Sequence, residues 1–213
     1  MINEKMLDEL RGAVSERMSP KRFRHTAEVE KMAEYLGSLY VPEEIPELRA
    51  AALLHDLTKE YTTEHNLKIC AERDIPLDAN AIYAPKTLHA ITAAALIPER
   101  FPDFATDKII GCVRWHTTGR EGMTLCEKLI YLADYIDMSR TFEDCVRLRE
   151  IFMEAQPEKM SEEQRLAHLR RVLITSFDMT VRGLLFDGLP VSTDTVSARN
   201  QLIREEISQS AEH

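Results

Sequence analysis

The sequence predicts an all-α helical bundle, on three observations. Only seven glycines and nine prolines occur in 213 residues, too little turn chemistry for a many-stranded sheet protein. Apolar residues recur at three- and four-residue intervals, the period of helices with one buried face. Hydrophobic residues at 44 % and charged residues at 30 % are ordinary globular values and argue against a disordered or collagen-like chain. At this length one compact domain over 1–213 is the expectation, since no repeat, low-complexity tract or Gly/Ser linker divides it.

Taken in order, Ser19-Pro20 reads as an N-cap followed by proline at the first helical position, opening a helix to about Gly37. On it His25, Val29, Met32 and Leu36 fall at i, i+4, i+7 and i+11, so this histidine shares the core stripe. Pro46 opens a second helix whose Ala50-Ala51-Ala52-Leu53-Leu54 body is apolar nearly all round and ends in His55-Asp56; such a helix belongs in the core. A more polar helix is expected over about 63–74, then an irregular stretch to Lys86, then a helix from Thr87 that stops at Pro98. In the latter His89, Thr92, Ala93 and Leu96 share a face. Ile109, Cys112, Val113 and His116 repeat the pattern on a helix ending in Thr117-Thr118-Gly119. Leu125 to Asp134 forms another, with Asp134 at the edge of its apolar stripe. A long helix runs from about Ser161 to Phe186 with Leu166, Leu169, Leu173, Phe177 and Val181 inward, and a last amphipathic segment carries Val196, Ile203 and Ile207. That segment caps the domain or meets a second subunit in a homodimer.

Twenty-seven basic against 36 acidic residues give a net charge of −9, which repels phosphates overall and argues against a nucleic-acid or membrane-surface binder. An anionic ligand then needs local help, from metal ions or a few placed Lys and Arg. Cys70, Cys112, Cys126 and Cys145 show no paired spacing, so reduced packing thiols in the cytoplasm are expected. The first residues lack the apolar stretch of a signal peptide, and no run approaches the roughly 18 apolar residues of a membrane span.

The chemistry lies in the inward polar residues. Four of the seven histidines, with Asp56 and Asp134, fall on inward positions of five separate helices. Any one such histidine is more often a hydrogen-bonded core residue, but a buried carboxylate left unpaired costs several kcal/mol, and helix bundles assemble metal sites in this way. Imidazole with carboxylate suits divalent iron, manganese or zinc. Six donors exceed the need of one tetrahedral ion and suit two ions about 3.5–4 Å apart. His65, His168 and the terminal His213 are expected at the surface. No phosphate-binding glycine motif or Gly-x-Ser-x-Gly elbow is present, so a side-chain nucleophile is not expected.

These residues resemble a known family. His25, then His55-Asp56, then Asp134 is similar to the skeleton of the HD-domain metal-dependent phosphohydrolases, and His89 and His116 match the extra histidines of two-metal members. Lys21-Arg22-Phe23-Arg24-His25, Ala52 to Lys59, Leu88-His89, His116 to Arg120 with Met123, and Leu132 to Ile136 with Arg140-Thr141-Phe142 look like the YqeK branch. The likeness covers about 18–155, with helices over about 161–207 packing on that core. Asp137-Met138 and Ala90 depart from the branch, which commonly has Glu-Pro and Gly there.

The resemblance implies an HD-domain fold, a di-iron cofactor and symmetrical hydrolysis of diadenosine tetraphosphate to two ADP by a metal-activated water; ligand softness by itself also allows manganese or another divalent transition metal. The implied metal ligands are His25, His55, Asp56, His89, His116 and Asp134, with His55, Asp56 and Lys59 in the chemistry. Lys59, Arg140, Thr117, Thr118, Arg120 and Arg22 are the phosphate-binding candidates. The rival readings are another nucleotide as substrate (a nucleoside monophosphate, cyclic dinucleotide or guanosine polyphosphate) and a non-catalytic nucleotide-binding metal protein.

Overall fold

Helix follows helix throughout the computed structural model, which describes residues 2–77 and 81–211. The order is α1 (Glu4–Ser15), α2 (Pro20–Tyr40), α3 (Ile45–Leu54), α4 (Thr63–Glu72), α5 (Leu88–Arg100), α6 (Asp107–Trp115), α7 (Leu125–Ile136), α8 (Glu143–Glu154), α9 (Glu162–Phe186) and α10 (Thr193–Ala211). No β-strand occurs among the described residues, and the all-α class holds.

The starts are fixed by short polar caps. Ser19 Oγ accepts from Arg22 N, and Thr124 with Glu127 and Ser161 with Gln164 form reciprocal capping boxes. The alanine-rich α3 is buried along its whole body from Leu48 to Leu54 and lies among α1, α2, α6 and α7. Small side chains let those helices approach closely. One charged residue on α3 enters this core: Arg49 donates from Nε to Glu30 Oε1 at 3.0 Å and from Nη1 to Glu4 Oε1 at 2.7 Å. A continuous apolar cluster joins Leu7 of α1 to Leu202 of α10.

Several boundaries differ from expectation. α2 continues through Gly37 to Tyr40. A Cβ at Gly37 would lie 2.9 Å from Ile45 Cγ1 and 3.0 Å from Leu48 Cδ1, so this glycine serves the close α2–α3 crossing and does not end the helix. α5 runs two residues past Pro98, because Phe101 N still donates to Ile97 O at 2.8 Å and the proline forfeits only its own bond. Helices α1 and α8 lie outside the sequence expectation, although Leu7, Leu10 and Val14, and Cys145, Leu148 and Phe152, carry the helical spacing.

Leu166 is 38 % exposed, one turn before the buried Leu169 and Leu173, because the first turns of α9 project beyond the core. Val181 is only half-buried. In α10 the buried anchors are Ala198 and Leu202, while Val196 and Ile207 are exposed. His168 is half-buried, stacked on Phe152 and 3.2 Å from the Phe152 carbonyl; His65 is exposed and stacks on Tyr61. His213 and part of the irregular stretch before Lys86 lie outside the described residues.

Candidate metal centre

Five helices deliver the six side chains to one place. His25 sits inside α2, Asp134 inside α7 and His89 in the first turn of α5. His55 and His116 stand at the C-caps of α3 and α6, where the turn after the helix swings the next residue, Asp56 or Thr117, toward the same point. Gly119 makes the second turn possible. Its φ is +63°, and a Cβ there would lie 2.8 Å from Phe177 Cζ, so α9 packs directly against the turn that carries His116 and Thr117.

Asp56 lies at the middle. Its Oδ2 is 3.4 Å from His55 Nε2 and 3.7 Å from His25 Nε2, while its Oδ1 is 3.2 Å from His89 Nε2 and 3.8 Å from His116 Nε2. One carboxylate therefore faces two histidine pairs with its two oxygens. Asp134 Oδ1 closes the first half, 3.0 Å from His25 Nε2 and 3.7 Å from His55 Nε2. The Nε2 atoms of His89 and His116 stand 3.0 Å apart in the second.

Each imidazole is held from behind. The Nδ1 atoms of His55, His89 and His116 lie 2.6, 2.8 and 2.7 Å from the carbonyls of Ala52, Lys86 and Val113. His25 Nδ1 lies 3.1 Å from Ser139 Oγ and 3.3 Å from Asp137 Oδ2. A proton on each Nδ1 leaves each Nε2 with a lone pair directed inward, the arrangement typical of metal-ligating histidines. Thr58, just past the His-Asp pair, donates to the His89 carbonyl at 2.9 Å and meets Thr92, which in turn donates to Asn66 at 2.6 Å.

The phosphate-binding candidates divide. Lys59 Nζ is 3.2 Å from His89 Nε2 and 3.8 Å from Asp56 Oδ1. Arg22 Nη1 donates to Asp56 Oδ2 at 2.7 Å, Arg140 donates to the Asp134 carboxylate, and Thr117 Oγ1 is 3.0 Å from His116 Nε2. These four border the cluster. Thr118 is buried with its hydroxyl donating to the Gly119 carbonyl, and Arg120 pairs with Glu127 at 3.0 Å beside Trp115.

Two further residues matter that the sequence did not single out. Asp137 is fully buried one residue past α7, with Oδ1 accepting from Ser139 N at 2.8 Å and Oδ2 facing His25. Arg149 of α8 donates to the carbonyls of Asp137 and Arg140 at 2.5 and 3.3 Å, fixing the loop between them. The available signal was the spacing Asp134, Asp137, Arg140, each three apart at a helix end.

Electrostatics follow from these contacts. Burial pulls His25 down, but Asp134 and Asp137 outweigh it and raise this imidazole to about 9. His89 and His116 have no comparable acid behind them, and burial lowers both. Burial favours protonation of Asp56 and Asp134, yet His55, His89 and Lys59 around the first, and Arg140 and His25 beside the second, hold both acids well below the usual carboxylate range. Burial raises Cys112, and Cys126 to about 11, which suits packing thiols and not nucleophiles.

The residues fit divalent metal. His55 Nε2 and Asp56 Oδ1 are shielded from solvent and form no hydrogen bond, a cost of about 1–3 kcal/mol each that a cation would remove. His25, His55 and Asp134 form one group of donors within 4.8 Å of one another, and His55, Asp56 and His116 a second. Nitrogen and carboxylate donors in this proportion suit a transition metal better than magnesium or calcium.

A profile of the HD domain matches residues 22–139, which include all six cluster residues. The chain is 31 % identical to a symmetrical bis(5'-nucleosyl)-tetraphosphatase of Bacillus subtilis, over 92 % of this chain and 97 % of that protein. It is 28 % identical to one of Halalkalibacterium halodurans, over 91 % and 95 %. Among solved structures it resembles a predicted HD superfamily hydrolase involved in NAD metabolism from Clostridium acetobutylicum, with a TM-score of 0.79 and 27 % identity, covering 96 % of this chain and 100 % of that one.

Proposed function

The chain belongs to the HD-domain hydrolase family, and on that premise we propose that it cleaves dinucleoside tetraphosphates symmetrically, releasing two ADP from diadenosine tetraphosphate. The observation that carries the reading is Asp56, whose two oxygens face two separate sets of imidazoles while Lys59, Arg22 and Arg140 stand around it. That is a site for two cations and a multiply charged anion. The relatives of similar length supply the substrate class.

His25, His55, Asp56 and Asp134 would hold one ion, and Asp56, His89 and His116 the other, with iron the proposed metal and manganese the alternative. Such a pair supplies Lewis-acid charge and a water of lowered pKa. The chain's own part is positioning and charge. Lys59 extends its ammonium toward Asp56 and His89, where it neutralises a phosphoryl oxygen as charge builds in the transition state. Arg22 and Arg140 hold outer phosphates on the opposite flank, and the Thr117 hydroxyl donates to an oxygen beside His116. In the reaction a new bond joins water oxygen to an inner phosphorus, the bond from that phosphorus to the central bridging oxygen breaks, and both water protons reach solvent. Four buried free cysteines support the cytoplasm as the place of action, and no helix among the described residues is long and apolar enough to cross a membrane.

Elemental analysis of purified protein with chromatography of the products tests this reading. ADP as the sole product of diadenosine tetraphosphate supports it, whereas AMP plus ATP rejects the symmetrical cut. The resemblance to a hydrolase of NAD metabolism favours a second reading, another nucleotide anhydride as substrate, and preferential turnover of such a compound would establish it. Nucleotide binding without turnover across a metal and pH series would make the protein a non-catalytic binder.

A further inference from the structure

Beside the metal centre opens a cleft of about 770 Å³, whose lining includes Lys21, Arg22, Arg24, His25, Arg140 and Phe142. The volume is that of a small-molecule site, about 300–1,000 Å³. His25 is only 8 % exposed, with its Nε2 3.0 Å from Asp134 Oδ1.

Two local rules of helix stability are broken along this cleft. The first turn of α2 carries no acidic residue, and Lys21, Arg22 and Arg24 crowd an end where the helix dipole disfavours cations. Arg22 is paired with Asp56, but Lys21 and Arg24 make no ion pair with any described residue. Glu60, the acid of the cleft, is already engaged by the Ser19 amide and hydroxyl at 2.7 and 2.5 Å. Across the opening, Phe142 occupies the N-cap of α8 without a side-chain cap hydrogen bond and is 70 % exposed, where Ser, Thr, Asp or Asn would stabilise the helix. Rules broken together around one opening mark a functional surface. Unpaired cations beside an exposed aromatic ring suit a ligand with phosphates at one end and a planar base at the other.

We propose that this cleft holds one nucleoside diphosphate half of the substrate, with Phe142 stacking on the base and Lys21 and Arg24 joining Arg22 and Arg140 around its outer phosphate. The assignment rests on the proposed nucleotide hydrolysis and adds the residues that would select a nucleoside-capped chain over bare polyphosphate.

The test is titration of metal-loaded protein with 1,N6-etheno-ADP, followed by fluorescence, with inorganic pyrophosphate as competitor and diadenosine tetraphosphate as substrate. Phe142→Ala is expected to weaken etheno-ADP about tenfold, the usual loss for one stacked base, to leave pyrophosphate affinity unchanged and to raise KM. Phe142→Trp should restore binding. Lys21→Gln with Arg24→Gln should weaken both ligands and flatten the salt dependence. Unaltered etheno-ADP affinity in Phe142→Ala, or equal losses for etheno-ADP and pyrophosphate, would overturn the assignment even if the wild type makes ADP. Loss of etheno-ADP binding in a protein that never cleaves the tetraphosphate would leave the cleft assignment standing and reject the hydrolytic reading instead. Phe142 is exposed, so folding of the variant is not at risk, and an unchanged melting curve confirms it.

Discussion

Replacing Asp137 by Asn tests whether the second layer of the cluster governs the first. The carboxylate is fully buried, with Oδ2 3.3 Å from His25 Nδ1 and 3.4 Å from Arg140 Nε. Asparagine keeps the volume and an oxygen for the Ser139 amide but removes the charge behind the imidazole. Burial alone would depress His25; Asp134 and then Asp137 reverse that and raise it to about 9. Loss of one of those two acids must bring the value down, readable from the His25 ring protons by NMR in metal-free protein. The sign for stability follows. A raised folded-state pKa contributes stability in full below the unfolded value of 6.5 and loses it as pH climbs through about 9. In Asp137→Asn this pH-dependent part shrinks, and the melting temperature of the metal-free protein varies less across that window. Altered support behind a ligating histidine costs about 10–100-fold in metal affinity or activity, so chelator competition should show a loss of that size. A variant with unchanged His25 titration and unchanged metal affinity would refute the positioning role of Asp137.

Three other outcomes are expected. His55→Ala and Asp134→Ala should each lose metal and turnover while keeping most of the helical circular dichroism, because apolar packing and not the cluster holds the bundle; full turnover in either would contradict the ligand assignment. At pH 7 His25 in metal-free protein is protonated, and ligation needs the neutral ring, so metal uptake should release about one proton and its apparent heat should vary with the buffer's ionisation enthalpy. Buffer-independent heat would count against His25 as a ligand. Gly119→Ala puts a Cβ at φ +63° and 2.8 Å from the buried Phe177 ring, which should cost about 2–4 kcal/mol of stability by thermal melting, with partial recovery on adding Phe177→Leu.

The cluster explains why its helices end where they do. His55 and His116 are placed at C-caps, each with Nδ1 turned back on a carbonyl three residues earlier, of Ala52 and Val113. Those bonds occupy the imidazole and a terminal carbonyl together. A helix end thus becomes a rigid mount for a ligand, and the residue after it is free of the helical course.

Much of this was written in the linear order of residues. Histidine at 25, 89 and 116 keeps helical register with apolar neighbours, so any fold that buries those stripes buries the imidazoles too; the adjacent His55 and Asp56 share one mount, and Asp134 rides the stripe of α7. Periodicity is a local property, which is why six side chains and an all-α class could be named before any coordinate. Relations between distant segments could not. That Asp56 turns one oxygen to His55 and the other to His89, that Arg22 and Arg140 meet the cluster while Arg120 goes to Glu127, and that Gly37 permits a helix crossing where it reads as a stop all depend on which helices adjoin and at what angle. Asp137 keeps a three-residue spacing from Asp134, but its burial, like the reach of Arg149 and the cleft at Phe142, depends on a loop and a helix start whose course is set by packing across the bundle.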